Sequence, residues 1–333
     1  MKKTRIAVVS PVVYDFTSWC RCAGPLSRLM NDYKHIECTY YNGAKELKWN
    51  DFLHHNILFL QRPYLPAHLD MMARSVTLKR KVWIDYDDLL WDIPASNPAS
   101  KSYERHKETI KNIIRCADPR MVTITVSVEY LADQVRAVRP DANVVVIPNA
   151  LDETILWPHG YKEPDTPALI GWRGGDSHQA DLLCVRDEIE DVLDSYPIEF
   201  IGMNPFWLKS DYAIFTRKEM LEYYLYLNSR KWDAFFVALE DTPFNHSKSN
   251  VAYMEAFFAG SIMVAPNGFD EWNKPGIVGY SNLSDGIHTA MSMTYEDRKA
   301  LWLESGRYIN LHLTLRTVND LRLDVINNLS IPI

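Results

Sequence analysis

The sequence predicts an α/β protein built from two open, mostly parallel sheet domains that face each other across a cleft. Three observations carry that prediction. Short apolar runs alternate with stretches of helical period along nearly the whole chain. The alternation comes in two series, separated by residues 157–168, which hold three prolines and a glycine and read as a linker. Charged or glycine-bearing motifs follow the predicted strands, and in such sheets ligands sit beyond the carboxyl ends of the strands.

In the first series the predicted strands are 6–10, 37–41, 57–61, 81–85, 122–126 and 144–147. The predicted helices lie near 24–33, 66–78, 101–116 and 127–138, with Ser127 as an N-cap. Pro148-Asn149 ends the last strand. In the second series the strands are 168–172, 198–201, 234–239 and 262–265. Its helices cover about 178–194, 217–228, 247–259 and 295–308, and a last amphipathic segment, 314–329, is also read as helical. The domains are therefore placed at 1–155 and 165–310, with 311–333 a terminal helix that packs back on the first domain.

Bulk properties narrow the class. At 333 residues and 47% apolar composition, the chain is long enough for two ordinary cores. No run of 18 apolar residues occurs, so no membrane span is expected. The basic start Met-Lys-Lys-Thr-Arg is followed by an apolar run too short for a secretory leader, and a cytoplasmic location is expected. Five scattered cysteines (20, 22, 38, 116, 184) fit a reducing compartment, and Cys20-x-Cys22 lacks a second pair at zinc spacing. The net charge of −7 hides an asymmetry. Residues 1–150 hold 21 Lys/Arg against 16 Asp/Glu, and residues 151–333 hold 15 against 27. A basic first half suits an anionic partner, although chance and solubility explain it equally simply.

Two motifs point to a phosphate. In the first, Ala234–Leu239 runs into Glu240-Asp-Thr-Pro-Phe-Asn-His-Ser-Lys-Ser-Asn250, and a helix is predicted from near Ser247 to Gly260. This sets Lys248, Ser249 and Asn250 at a helix N-terminus, where free N–H groups and the helix dipole favour an anion. Glu255 lies two turns further on, on a face suited to a ribose hydroxyl pair. The second motif is Gly171-Trp-Arg173-Gly174-Gly175-Asp-Ser-His178-Gln-Ala-Asp181-Leu. Gly174 and Gly175 allow close backbone approach, and Arg173 offers a planar fork to a phosphate. The pattern is neither G-x-G-x-x-G nor a Walker loop, which disfavours dinucleotide binding and ATP hydrolysis. His178 is read as a helix cap or a donor contact, and Asp181 as a helix-start charge.

Three further clusters face the expected cleft. Asp85-x-Asp87-Asp88 follows a strand; it reads either as a turn with solvated carboxylates or as a site in which Asp88 orients an acceptor hydroxyl. Thr17-Ser-Trp-Cys-Arg21 and Gln61-Arg62-Pro63 each put an arginine after a strand, as a phosphate contact or as a surface residue beside a packed ring. Lys79-Arg-Lys81 reads as a solvated edge.

Taken in order, these segments resemble the large retaining family of GT-B glycosyltransferases, which have two Rossmann-like domains facing a cleft. The resemblance rests on Trp232–Gly260, on Gly171–Leu182, on Ile84–Pro94, on Thr125–Leu131 and on Val146–Asp152. It implies that Arg173 and Lys248 hold the diphosphate of a nucleotide-sugar donor, a UDP-sugar foremost, without a further cofactor or metal. It implies that Glu255 bonds the ribose, and that the loop after Ile201 and residues near Phe215 hold the base. Gly174, Gly175, His178, Asn245, Ser249 and Asn250 join the donor site, and Arg21, Arg62 and Asp87 stand on the acceptor side. The family often has a second glutamate eight residues before the first, where this chain has Ser247; Asn245, His246 and Glu240 are candidate substitutes. Two acceptors stay open, a hydroxymethylated pyrimidine in DNA of the phage type and a cell-surface saccharide. So do a nucleotide-sugar binder without turnover and an epimerase or hydrolase on the same frame.

Overall fold

Apolar β-branched runs form the strands here because each sheet is buried on both faces. A computed structural model describes residues 3–12, 15–156, 160–161, 168–209, 213–216, 220–230 and 232–331. In the first lobe, β1 (Thr4–Ser10), β2 (Ile36–Asn42), β3 (Ile57–Gln61), β4 (Lys81–Tyr86), β5 (Val122–Val126) and β6 (Val144–Val146) form one sheet in the order β2-β1-β3-β4-β5-β6. In the second, β7 (Ile170–Arg173), β8 (Ile198–Ile201), β9 (Ala213–Thr216), β10 (Ala234–Phe236), β11 (Ile262–Pro266) and β12 (Ile277–Tyr280) run in the order β12-β11-β10-β7-β8-β9. Every pairing is parallel. Strand order reverses at β1/β3 and at β7/β10, and the crevice beyond those carboxyl ends is where such folds bind ligands.

The expected two-lobed α/β architecture is therefore present, with local differences. The predicted helix from Ser247 is in fact two. Thr242 accepts from the Asn245 N–H at 3.2 Å and, with Pro243 at the first position, starts a short helix over Pro243–His246. A second helix begins only at Val251, so Lys248, Ser249 and Asn250 form the joint between them. The predicted helix 178–194 is likewise split into Gln179–Leu183 and Arg186–Leu193. Strands β9 and β12 and the helix Leu283–Ser292 were not expected. Most of the predicted linker 157–168 lies outside the described residues, as does the side chain of Phe215.

The last helix, Leu315–Ser330, is capped by Thr314 and belongs to the first core. Its Val318, Val325, Ile326 and Leu329 pack with Ile6, Val8, Leu26 and Leu29, and Asn319 donates to the Pro25 carbonyl at 3.1 Å. Phe244 crosses from the second lobe into the first lobe's core, and Cys20 crosses the other way. The lobes also meet where Asn149 donates to Ser249 at 2.6 Å, where Ser96 donates to Glu240 at 2.8 Å, and where Tyr130 stacks on His246.

Candidate functional site

Between the lobes lies a cavity of about 490 Å³, walled by loops from the carboxyl ends of both sheets. Its volume falls in the range of small-molecule sites. Arg173, Gly175, His178, Lys248 and Ser249 reach it from the second lobe, and Arg62, Asp87, Asp88, Tyr103 and Asn149 from the first.

On the second lobe, β7 delivers Arg173 and the turn Gly174-Gly175. A Cβ on Gly174 would come within 2.5 Å of the Trp172 ring, and the backbone of Gly202 (φ +101°) closes on the Gly174 carbonyl from behind. A Cβ on Gly175 would meet nothing, which leaves the turn's outer face open to the cleft. The His178 imidazole donates from Nδ1 to Asp181 at 2.7 Å, which leaves Nε2 as an acceptor 3.5 Å from the Lys248 ammonium. Burial, reinforced by Lys248, pushes the His178 pKa down to about 4, so the ring is neutral at physiological pH. Burial alone would raise the Asp181 carboxyl, but the His178 hydrogen bond and Lys248 hold it below its usual range. Burial also lowers the Lys248 pKa, against Asp181 and Asp88, which raise it. Lys248 lies 5.2 Å from the centre of the Phe244 ring, in a cation–π contact.

On the first lobe, Arg62 binds Asp87 through Nε (2.5 Å) and Nη2 (2.7 Å), and Asp88 through Nη2 (2.5 Å). Arg62 adopts φ +45°, a conformation that costs a non-glycine residue about 1–3 kcal/mol and is concentrated at functional sites. Burial raises the Asp88 carboxyl above its ordinary range and Asp87 adds to this, while Arg62 and Lys248 oppose it.

Five expected site residues face elsewhere. Arg21 is 2% exposed and grips Asp85 with Nε (3.0 Å) and Nη2 (2.6 Å); its Nη1 donates to the Ile147 carbonyl and to Asn149. It reaches the cleft only through Asn149, which bonds Ser249 in turn. The partner that withdraws Arg21 is 64 residues away in sequence, so no local pattern announces the pair. Asn245 is buried and spends its amide on Asp181 (2.6 Å) and on the Glu240 carbonyl (2.9 Å). Asn250 donates to the Glu271 carbonyl at 3.3 Å and so ties the joint to the turn that carries Trp272. Glu255 is 0% exposed and receives the Arg173 Nε–H at 2.5 Å instead of lining the cleft. Gly174 is packed against Trp172, one residue behind the open turn. Ser247, at the position of the absent glutamate, is also buried and bonds the Pro243 carbonyl. Of its candidate substitutes, His246 is stacked between Tyr130 and Phe269, and Glu240 is bonded to Ser96.

The sequence reading overlooked Asn149, Tyr103, Asn97 and Trp272 as cleft residues. Asn149 stood inside a quoted segment, directly after a predicted strand end, and that position was the available clue. Among the described residues no group of three or more His, Cys, Asp or Glu is placed to hold a metal, and no helix is long and apolar enough to cross a membrane.

No family model matches the sequence, and no curated protein matches it. Solved structures do match. The chain superposes on sucrose-phosphate synthase from Thermosynechococcus elongatus with a TM-score of 0.69 at 11% identity, covering 98% of this chain and 99% of that one. It superposes on α,α-trehalose 6-phosphate synthase from Burkholderia multivorans with a TM-score of 0.66 at 8% identity, covering 99% of both. Anabaena HepE, solved in complex with UDP-glucose, gives 0.63 at 11% identity over 97% and 99%. At these identities the likeness shows the fold, two Rossmann-like domains in the GT-B arrangement.

Proposed function

We propose that the chain is a glycosyltransferase that moves a sugar from a nucleoside-diphosphate sugar to an acceptor hydroxyl. The observation that carries this reading is the arrival of Arg173 and Lys248, from two strand ends 75 residues apart in sequence, in one inter-lobe cavity beside the open Gly175 turn. Departure of a nucleoside diphosphate builds negative charge on its outer phosphate. Cations held in a partly dry site stabilise that charge without reorganising. Glu255 holds Arg173 by its Nε edge, which leaves the outer edge of the fork for phosphate. His178, neutral and oriented by Asp181, accepts from Lys248 and fixes its ammonium.

On the opposite wall Asp88, with its raised pKa, is the acceptor-side group, and Arg62, itself gripped by Asp87, holds it in place. A retaining course, in which the leaving phosphate takes the acceptor proton, fits a wall whose carboxylates are already bound by arginine. A UDP-sugar is the favoured donor, supported by the UDP-glucose in the HepE structure. A cytoplasmic setting agrees with five free cysteines. A saccharide is the favoured acceptor, because the cleft wall opposite the cations is acidic. A hydroxymethylated pyrimidine in DNA draws its support from the basic first half of the chain alone.

The test is donor turnover. Purified protein should hydrolyse or transfer from UDP-glucose, and Lys248→Ala should lower the rate by about 100-fold or more. UDP-glucose binding without turnover in the presence of any acceptor would leave a nucleotide-sugar binder. A salt-sensitive gel shift of hydroxymethylated duplex DNA would move the acceptor to DNA.

A further inference from the structure

A second cavity, of about 380 Å³, opens beside the first on the second lobe, between the end of β11 and β12. Trp272 lines both. The wall is polar: Asn267, Asp270, Asn273 and Lys274 surround it, and Gly268 (φ +90°) leaves one side open. Phe269 forms its back, held by stacking on His246 at 4.4 Å between ring centres. The architecture is built to keep the cavity open. A Cβ on Gly279 would come within 2.4 Å of the Asn267 side-chain oxygen, so only glycine lets Asn267 seat there. Asn250 pins the turn that presents Trp272.

The chemistry selects a ligand class. The Lys274 ammonium is engaged by Glu271 at 3.7 Å and by the Asp270 carbonyl at 3.4 Å. Asp270 adds a carboxylate, so an anion finds no free cation there. An apolar ligand would strand amides and a carboxylate. Side-chain amides, a carboxylate and an indole beside one another match the alternating hydroxyls and C–H faces of a neutral sugar. The Trp272 indole N–H is buried and has no acceptor, a deficit of the kind a bound hydroxyl removes.

We infer that this cavity is a subsite for a neutral saccharide unit, the part of the acceptor next to the sugar that is glycosylated. This rests on the transferase reading above, and the experiment separates the two. Saturation-transfer NMR is run on the full chain with maltose, cellobiose, lactose and gentiobiose, in the presence of saturating UDP. At least one disaccharide should give signal with UDP bound. The signal should fall about tenfold in an Asp270→Ala, Asn273→Ala variant, which loses two exposed hydrogen-bonding groups. UDP affinity and melting temperature of that variant should match wild type. Absence of signal from all four sugars in protein that binds UDP would overturn the subsite and leave the donor reading standing. So would signal that UDP abolishes, or signal unchanged in the variant. Failure of UDP itself to bind would instead remove the donor reading.

Discussion

Glu255→Gln separates two roles for the one carboxylate buried behind the donor wall. The family resemblance gives this glutamate to a ribose, whereas the structure gives it to Arg173. The side chain of Glu255 is 0% exposed and that of Arg173 24%. Burial raises the Glu255 carboxyl above its ordinary range, against the pull of Arg173. The buried Tyr223 hydroxyl also opposes that rise, although it and Oε1 do not meet at full hydrogen-bond geometry. Truncation to alanine leaves a guanidinium without its counter-charge, and the part-exposure of Arg173 puts the loss near the low end for buried pairs, about 3 kcal/mol. Glutamine keeps an acceptor for the Nε–H and adds a donor that can turn to Tyr223, so it costs about 1 kcal/mol. The effect on ligand has the opposite sign. A phosphate on the outer edge of the Arg173 fork would lie ~7 Å from the carboxylate, where repulsion at an effective dielectric of about 20 is about 2 kcal/mol. Removing that charge should leave UDP affinity unchanged or raise it, by at most about 30-fold. Calorimetric titration of UDP into wild type and Glu255→Gln, with urea unfolding of both, reads the two quantities. A loss of UDP affinity of about tenfold or more, with stability unchanged, is the pattern of a ribose contact and would refute the Arg173-holding role.

Three further outcomes follow from the same coordinates. His178 stays neutral in the fold down to about pH 4 while a free imidazole takes its proton near 6.5, so falling pH draws protons to the unfolded chain. Stability should therefore fall as pH drops from 6.5 towards 4, by about 2 kcal/mol at pH 5, and urea unfolding of His178→Gln should lack that share. His68, lowered to about 4 by burial, contributes separately and keeps some slope in the variant. Gly202→Ala meets φ +101° and the Gly174 carbonyl at 2.5 Å; it should lose about 2 kcal/mol and weaken UDP binding by displacing the open turn, measured by thermal melting with and without UDP. Arg322 is buried, its Nη2 has no partner, and burial lowers its pKa to about 9. Arg322→Met should raise stability by about 1–3 kcal/mol in urea, and a loss would show that the guanidinium is better satisfied than its neighbours indicate.

Much of the fold was legible because the central strands are buried on both faces and so read as apolar runs, as in Ile57–Leu60 and Ile262–Ala265. In the first sheet the edge strands β2 and β6 were legible too, but in the second the edge strands β9 and β12 were not. Strand β12 breaks its apolar run at the exposed Gly279, which removes the pattern. The site was legible where chemistry and local geometry coincide. Arg173 with its glycines, and Lys248 just ahead of an apolar helix, are each readable within ten residues. Partnerships made at long range were hidden. Arg21 is drawn away by Asp85, Asn245 by Asp181, and Glu255 by Arg173, 82 residues apart. In each case a residue of the expected type is spent on holding another. The break at Ser247–Asn250 was hidden for a different reason. The Thr242-Pro243 start captures the residues that a single long helix would have used.

The most direct test is a double-mutant cycle on UDP affinity with Arg173→Gln, Lys248→Gln and both together, read by calorimetry alongside melting temperatures. Each single variant should lose about 10–100-fold in UDP affinity, the scale of one charge-assisted hydrogen bond, and the double variant should lose more than either. Folded single variants that bind UDP as tightly as wild type would contradict the account, because the two cations would then not meet on the diphosphate.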